Sequence, residues 1–189
     1  MDRKRALREQ ALDARSRLPP DERARHAVAI AERLASVPAY ARSRTLALYA
    51  AMGAEVDTAP IARRAAAEGK RLAWPRLPLG GLALAFASCP PEALVSGPLG
   101  TRQPPSGAQD VPLDAIDCIL VPGVAFDPRG VRLGRGRGHY DATLGSLPRT
   151  TFRIGLAFEA QIVVELPREP HDAPLDLLVT ESRLVWPPP

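Results

Sequence analysis

The sequence predicts an α/β domain built on a largely parallel sheet. Short apolar runs read as buried strands, amphipathic helical segments alternate with them, and turn residues mark the junctions. The first helix is expected over residues 3–18, with Leu7, Ala11, Ala14 and Leu18 on one stripe and charged side chains elsewhere. Pro19-Pro20 interrupts it. Asp21-Glu22 suit the N-terminus of a second helix, whose apolar face is Ala24, Ala27, Ala31 and Leu34 and which Pro38 ends. Residues 45–49 form a short apolar strand. A helix over 59–68 follows, with Thr58 as N-cap and Gly69 as stop. Strands are expected at 71–74, closed by Pro75, and at 82–86. Residues 88–113 are rich in Pro, Gly and Ser and predict a long surface excursion. A near-continuous apolar strand at 116–121, a short helix at 139–147 and strands at 154–158, 175–180 and 184–186 complete the pattern. The prolines from Pro187 onward read as a frayed tail.

A chain of 189 residues suits one domain, taken as 1–189, with 46% hydrophobic and 24% charged residues arguing against disorder. No apolar run approaches the length of a membrane span, and the Asp2-Arg3-Lys4-Arg5 start lacks a secretory core. Cys89 and Cys118 are too few for a disulfide framework or a zinc site and read as inert. A cytoplasmic, reducing setting is expected. The net charge of +4 leaves nucleic acid, an acidic membrane surface or a small anion open as partner. Of the 25 basic residues all but Lys4 and Lys70 are Arg, a bias that a GC-rich genome would also produce.

Chemistry concentrates in residues 121–141. This stretch follows a buried strand, precedes a helix and contains Arg132-Leu133-Gly134-Arg135-Gly136-Arg137-Gly138-His139-Tyr140-Asp141. Glycines at 134, 136 and 138 let the backbone approach an anion, and the N–H groups of a following helix extend a phosphate cradle. Arg132, Arg135 and Arg137 add charge-assisted donors, and Asp141 is a candidate Mg²⁺ contact. The Gly-Lys-Ser/Thr of a P-loop is absent, and the third glycine comes too early for a dinucleotide fingerprint. On composition alone the segment also reads as a flexible surface loop, or as an arginine-glycine RNA contact without the aromatic signature of an RNA-recognition motif.

The chain resembles the 5-formyltetrahydrofolate cyclo-ligase (5,10-methenyltetrahydrofolate synthetase) family along nearly its whole length. The matching blocks run in order. They are Lys4 to Arg8; Leu48-Tyr49 with Glu55 to Thr58; Gly69-Lys70 before Trp74-Pro75; and the signature from Val121 through Phe126-Asp127, Gly130, Arg132-Leu133-Gly134 and Tyr140-Asp141. Gln161, Pro167, His171-Asp172 and Val179 to Glu181 follow. Arg137, His139 and Arg135 depart from the commonest residues at their positions.

The resemblance implies a three-layer α/β/α sandwich of the sugar-phosphate isomerase and CoA-transferase type. It implies ATP- and Mg²⁺-dependent closure of 5-formyltetrahydrofolate to 5,10-methenyltetrahydrofolate, with neither nucleic acid nor membrane as partner; a monomer is the simplest expectation for its oligomeric state. Lys4, Arg8 and, less firmly, Arg5 would reach the phosphates. The segment from Arg132 through Leu133, Gly134, Arg135, Gly136, Arg137, Gly138 and His139 to Tyr140 would wrap them. Arg132, Tyr140 and Asp141 would be catalytic, Asp141 and Asp172 would contact Mg²⁺, and Ala50 and Glu55 would bind the folate. Met52, Trp74 and Phe86 are weaker candidates to flank its rings. Without the resemblance, Lys4 and Arg8 read as solvated helix charge, Glu55 as a loop acid, His171-Asp172 as turn residues, His26 as surface, and Tyr49, Trp74 and Phe86 as core. The remaining alternatives are a paralogue with shifted chemistry on a pterin-like ligand and a basic RNA-binding module.

Overall fold

The computed structural model describes residues 3–78, 80–169 and 172–188; His171 and Pro189 lie outside them. Helices α1 (Arg3–Ser16), α2 (Pro20–Ala35) and α3 (Pro38–Arg42) lead into strand β1 (Thr45–Ala47), helix α4 (Ala59–Ala67) and strand β2 (Arg71–Arg76). Strands β3 (Ala85–Ser88), β4 (Val95–Ser96), β5 (Arg102–Gln103), β6 (Gln109–Val111), β7 (Cys118–Val121), β8 (Ala125–Phe126) and β9 (Arg132–Leu133) follow. Helix α5 (His139–Ser146) and strands β10 (Phe152–Leu156), β11 (Leu177–Val179) and β12 (Leu184–Val185) complete the chain.

Eight strands form one sheet in the order β12-β11-β10-β7-β1-β2-β3-β6. The central β11, β10, β7, β1 and β2 are parallel, while β12 and β3 pair antiparallel with their inner neighbours. Both faces of the centre are covered, so its strands are apolar on both sides. Along β7, Cys118 and Leu120 pack towards α2, α3 and α4, where they meet Ile30, Leu34, Tyr40 and Ile61. Ile119 and Val121 turn to the opposite layer, with Phe126 and with Leu144 of α5. A smaller core of Ala11, Val124, Ala125, Val131, Leu133 and Leu166 fixes α1 against the β8–β9 hairpin. This is the expected α/β sandwich.

Local differences have local causes. Pro38 opens α3, a proline at N1 being as natural as one beyond a helix end, and α2 stops at Ala35. The Thr58 hydroxyl donates to the carbonyl of Tyr49 and does not cap α4; the Asp57 carboxylate accepts the N–H of Ala59. The 82–86 strand is displaced to β3, and the 88–113 excursion contributes β6 to the sheet edge and the separate β4–β5 hairpin. Asp127 is fully buried, accepting the backbone N–H groups of Arg129, Val131 and Leu166 and the Arg129 guanidinium at 2.7 Å. It locks the turn between β8 and β9.

Candidate active site

A cleft of about 510 Å³ opens beyond the C-terminal ends of β1, β2 and β7, the customary position for ligands on an open parallel sheet. One wall is the segment from Arg132 through Tyr140 to Asp141. Lys4 and Arg8 reach the cleft from α1, and Tyr49, Ala50, Met52 and Glu55 from the loop after β1. Glu169 and Asp172 stand at its rim, and the β4–β5 hairpin brings Leu99, Thr101 and Arg102. The cleft thus gathers the residues assigned from sequence to nucleotide, folate or metal except Trp74 and Phe86, the candidates to flank the folate rings taken up below, and Arg5, whose exposed side chain pairs with Glu9 at 3.1 Å and does not line it.

The phosphate-type wall is built by backbone geometry. Gly138 takes φ +73° as N-cap of α5, and Gly136 has φ +92°, conformations that a side chain would strain. The first-turn N–H groups of α5 and its positive dipole end stand at the cleft with Asp141 among them. At Gly134 a Cβ would lie 2.7 Å from Arg132 Nη1, so a side chain there would push the guanidinium from its place. The His139 ring donates from Nδ1 to the carbonyl of Leu82 at 2.8 Å, which orients it away from a free stacking role.

The charges are arranged in pairs. Arg132, only 5% exposed, donates to Asp141 Oδ1 at 2.5 Å and to the Pro122 carbonyl at 3.4 Å, while its buried Nε has no hydrogen-bond partner among the described residues. Its guanidinium lies 5.6 Å from the centre of the Tyr140 ring. Glu55, 9% exposed at its side chain, accepts Arg135 Nε at 3.2 Å and Nη2 at 3.0 Å on one oxygen and the Met52 N–H at 3.0 Å on the other. Lys4 Nζ lies 2.8 Å from Glu169 and 3.7 Å from Asp172. Arg8 donates to the carbonyl of Gly134 at 2.9 Å. Desolvation raises the Tyr140 phenol well above its ordinary range; Glu55 pushes the same way and Arg132 opposes. Tyr140 is therefore a hydrogen-bond donor at neutral pH.

The family model described as the 5-formyltetrahydrofolate cyclo-ligase family matches residues 1–181. The chain belongs to this family. It is 35% identical over 176 residues to the 5-formyltetrahydrofolate cyclo-ligase of Escherichia coli K12, covering 91% of this chain and 96% of that one. The Mus musculus cyclo-ligase is 26% identical over 190 residues, covering 95% and 94%. The solved structure of Aquifex aeolicus 5,10-methenyltetrahydrofolate synthetase superposes with a TM-score of 0.84 at 33% identity, covering 97% of this chain and 92% of that one. The Mycoplasma pneumoniae 5,10-methenyltetrahydrofolate synthetase gives 0.78 at 27%, covering 96% and 99%.

The cyclo-ligase cleft also holds residues that no local pattern announced. Leu77, Leu99, Thr101, Arg102 and Glu169 line it, three of them from the excursion that composition marked only as loop. Arg15 is buried beneath the site. It donates from Nη1 to the Gly123 carbonyl at 3.3 Å, and burial lowers its pKa against the opposing pull of Glu55. Its place in α1 made it look like one more helix-surface cation. Of the three candidates to flank the folate rings, Met52 lines the cleft. Trp74 is buried, with Nε1 donating to Cys89 O, and borders a side cavity of about 120 Å³. Phe86 belongs to the core. His26 is half-buried against Phe158.

Among the described residues no cluster of three His, Cys, Asp or Glu side chains stands ready to hold a metal. Asp141 and Asp172 line the same cleft and are hard oxygen donors. That set fits Mg²⁺, which is commonly held by one or two carboxylates with phosphate oxygens and water.

Proposed function

We propose that this cleft carries out the ATP- and Mg²⁺-dependent cyclisation of 5-formyltetrahydrofolate to 5,10-methenyltetrahydrofolate, with release of ADP and phosphate. The observation that carries this reading is the meeting of two unlike walls in one cleft. The glycine-arginine segment, the N-terminus of α5, Lys4 and Arg8 form a polyanion site, and Glu55 with Ala50 and Met52 forms an acceptor-bearing pocket facing it. In this reading chain 1–189 acts as one catalytic domain, which supplies both walls, and as a monomer.

The formyl oxygen of an amide is a weak nucleophile, so positioning and neutralisation of phosphate charge supply most of the acceleration. Lys4, Arg8, Arg132, Arg135 and Arg137 neutralise the triphosphate, and the backbone from Leu133 through Gly138 and His139 approaches it closely. The formyl oxygen forms a bond to the γ-phosphorus as the bond to the β,γ-bridging oxygen breaks and ADP leaves. N10 of the same folate then attacks the activated carbon and gives up its proton, and expulsion of inorganic phosphate, which takes that proton, leaves the methenyl bridge. Arg132 and Tyr140, both donors beside the reacting phosphate, offset charge that builds on its oxygens. Glu55 accepts pterin N–H groups and fixes the ring. Asp141 and Asp172 would hold Mg²⁺, which supplies charge neutralisation across the phosphates.

A cytoplasmic setting is supported by the unbridged Cys89 and Cys118. An RNA-binding role for the arginine-glycine segment is disfavoured by its engagement inside the cleft, where Arg132 pairs with Asp141 and Arg135 with Glu55.

The test is near-ultraviolet absorbance of the conjugated methenyl product. A rise that requires 5-formyltetrahydrofolate, ATP and Mg²⁺ together is the expected result. Folate binding without that rise would leave a paralogue with shifted chemistry, and neither binding nor rise would overturn the reading.

A further inference from the structure

Each acid lining the cleft faces a cation that also lines it: Glu55 faces Arg135, Asp141 faces Arg132, and Glu169 and Asp172 face Lys4. Lys4, Arg8, Arg102, Arg132, Arg135 and Arg137 line the cleft against these four acids, so it keeps a net positive charge, but a polyanion must compete with an acid for Lys4, Arg132 and Arg135. The pair of widest consequence is Glu55 with Arg135, because it joins the two walls.

Arg135 sits on the glycine-arginine segment and its side chain is 48% exposed, so its guanidinium can change partners without unpacking a core. Glu55 is nearly buried. Its Oε1 takes both Arg135 bonds, and its Oε2 takes the N–H of Met52. A carboxylate in that position loses its main compensation if the guanidinium leaves and no other donor replaces it. A pterin offers such donors, but while Arg135 stays it finds Oε1 occupied. Phosphate oxygens offer Arg135 an equally good charge-assisted fork partner.

We propose that Arg135 couples the two substrate sites: it occupies Glu55 until nucleotide phosphates take its guanidinium, so that bound nucleotide prepares the folate pocket. The inference rests on the reading of Glu55 as the pterin acceptor. By linkage the effect is reciprocal, folate strengthening nucleotide binding by the same factor. Arg135 is a positioning residue in this role, acting on the folate through Glu55.

The experiment measures the affinity for 5-formyltetrahydrofolate by calorimetry, with and without saturating β,γ-imido ATP and Mg²⁺. Turnover with ATP is recorded on the same preparations. In the unsubstituted protein the nucleotide analogue is expected to tighten folate binding by about 5-fold or more. In Arg135→Met the factor falls to near one, and folate binds more tightly without nucleotide than it does to the unsubstituted protein. Arg137→Met, which alters a neighbouring loop cation and leaves the Glu55 pair in place, keeps the coupling. Turnover without coupling in the unsubstituted protein, or unchanged coupling in Arg135→Met, overturns the inference alone. Absence of both turnover and folate binding overturns the functional reading with it.

Discussion

Arg8 Nε donates to the carbonyl oxygen of Gly134 at 2.9 Å, joining the first helix to the glycine-arginine loop across 126 positions of sequence. Glycine at 134 presents that carbonyl while leaving space for Arg132 beside it. One contact therefore brings a cation to the glycine-arginine wall of the cleft and fixes the shape of the wall itself.

Arg8→Met should raise the KM for ATP by roughly 10- to 100-fold, the range expected when a charge-assisted hydrogen bond is lost. Folate affinity measured without nucleotide should stay close to that of the unsubstituted protein. Steady-state kinetics with each substrate varied in turn make the separation, and an equal loss for both substrates would show that Arg8 acts mainly by holding the loop.

Asp141→Asn removes the carboxylate that Arg132 grips and that would contact Mg²⁺. The Mg²⁺ concentration for half-maximal rate should rise roughly 10- to 100-fold, a span typical of damage to a metal's surroundings. Folate binding without nucleotide should survive. A magnesium titration of turnover beside a folate titration reads both, and loss of folate affinity with an unchanged magnesium requirement would remove Asp141 from the metal site.

Much of the fold was legible because β7, β1 and β10 are buried on both faces, and α2 and α4 beside them carry clear apolar stripes. Two-residue strands such as β8 and β9 are too short to have a period, and their hairpin is fixed by the buried Asp127, a tertiary event. Pro38 is compatible with either end of a helix, so its identity alone could not place α3. At the site, resemblance reached Lys4, Glu55, Arg132, Tyr140 and Asp141 one residue at a time. It could not show that these acids and cations neutralise one another, because Glu55 and Arg135 are 80 positions apart. Arg5 shares a helix and a charge with Lys4 and Arg8, but the helical rotation puts it beside Glu9, a difference in place that charge and spacing alone do not show.

Asp127 lies in the family signature yet serves the fold. Asp127→Asn should lower stability by about 2 kcal/mol or more, because three backbone donors and a guanidinium lose a full negative charge. The melting temperature should fall by roughly 4–8 °C. KM for both substrates should hold at temperatures well below the transition. Calorimetry and kinetics on one preparation check this, and a changed KM with an unchanged melt would instead make Asp127 part of the site.

Stability should decline on the alkaline side. Burial raises the Cys118 thiol and the phenols of Tyr40, Tyr49 and Tyr140 well above their ordinary values. In the unfolded chain the thiol ionises near pH 8.5 and the phenols near pH 10. Above those values the unfolded state has released protons that the folded state retains, so stability falls with rising pH, by up to about 1.4 kcal/mol per pH unit for each group. Melting temperatures should be level between about pH 7 and 8, decline beyond roughly pH 9 and fall more steeply past 10. Cys118→Ala should flatten the first part of that decline whatever its effect on the starting stability. Because all three tyrosines of the chain are shifted upward, phenolate absorbance should stay silent near pH 10 and appear together with unfolding. A native protein whose tyrosines titrate at their ordinary value, or a melting temperature that stays level into strong alkali, would contradict this account of the buried groups.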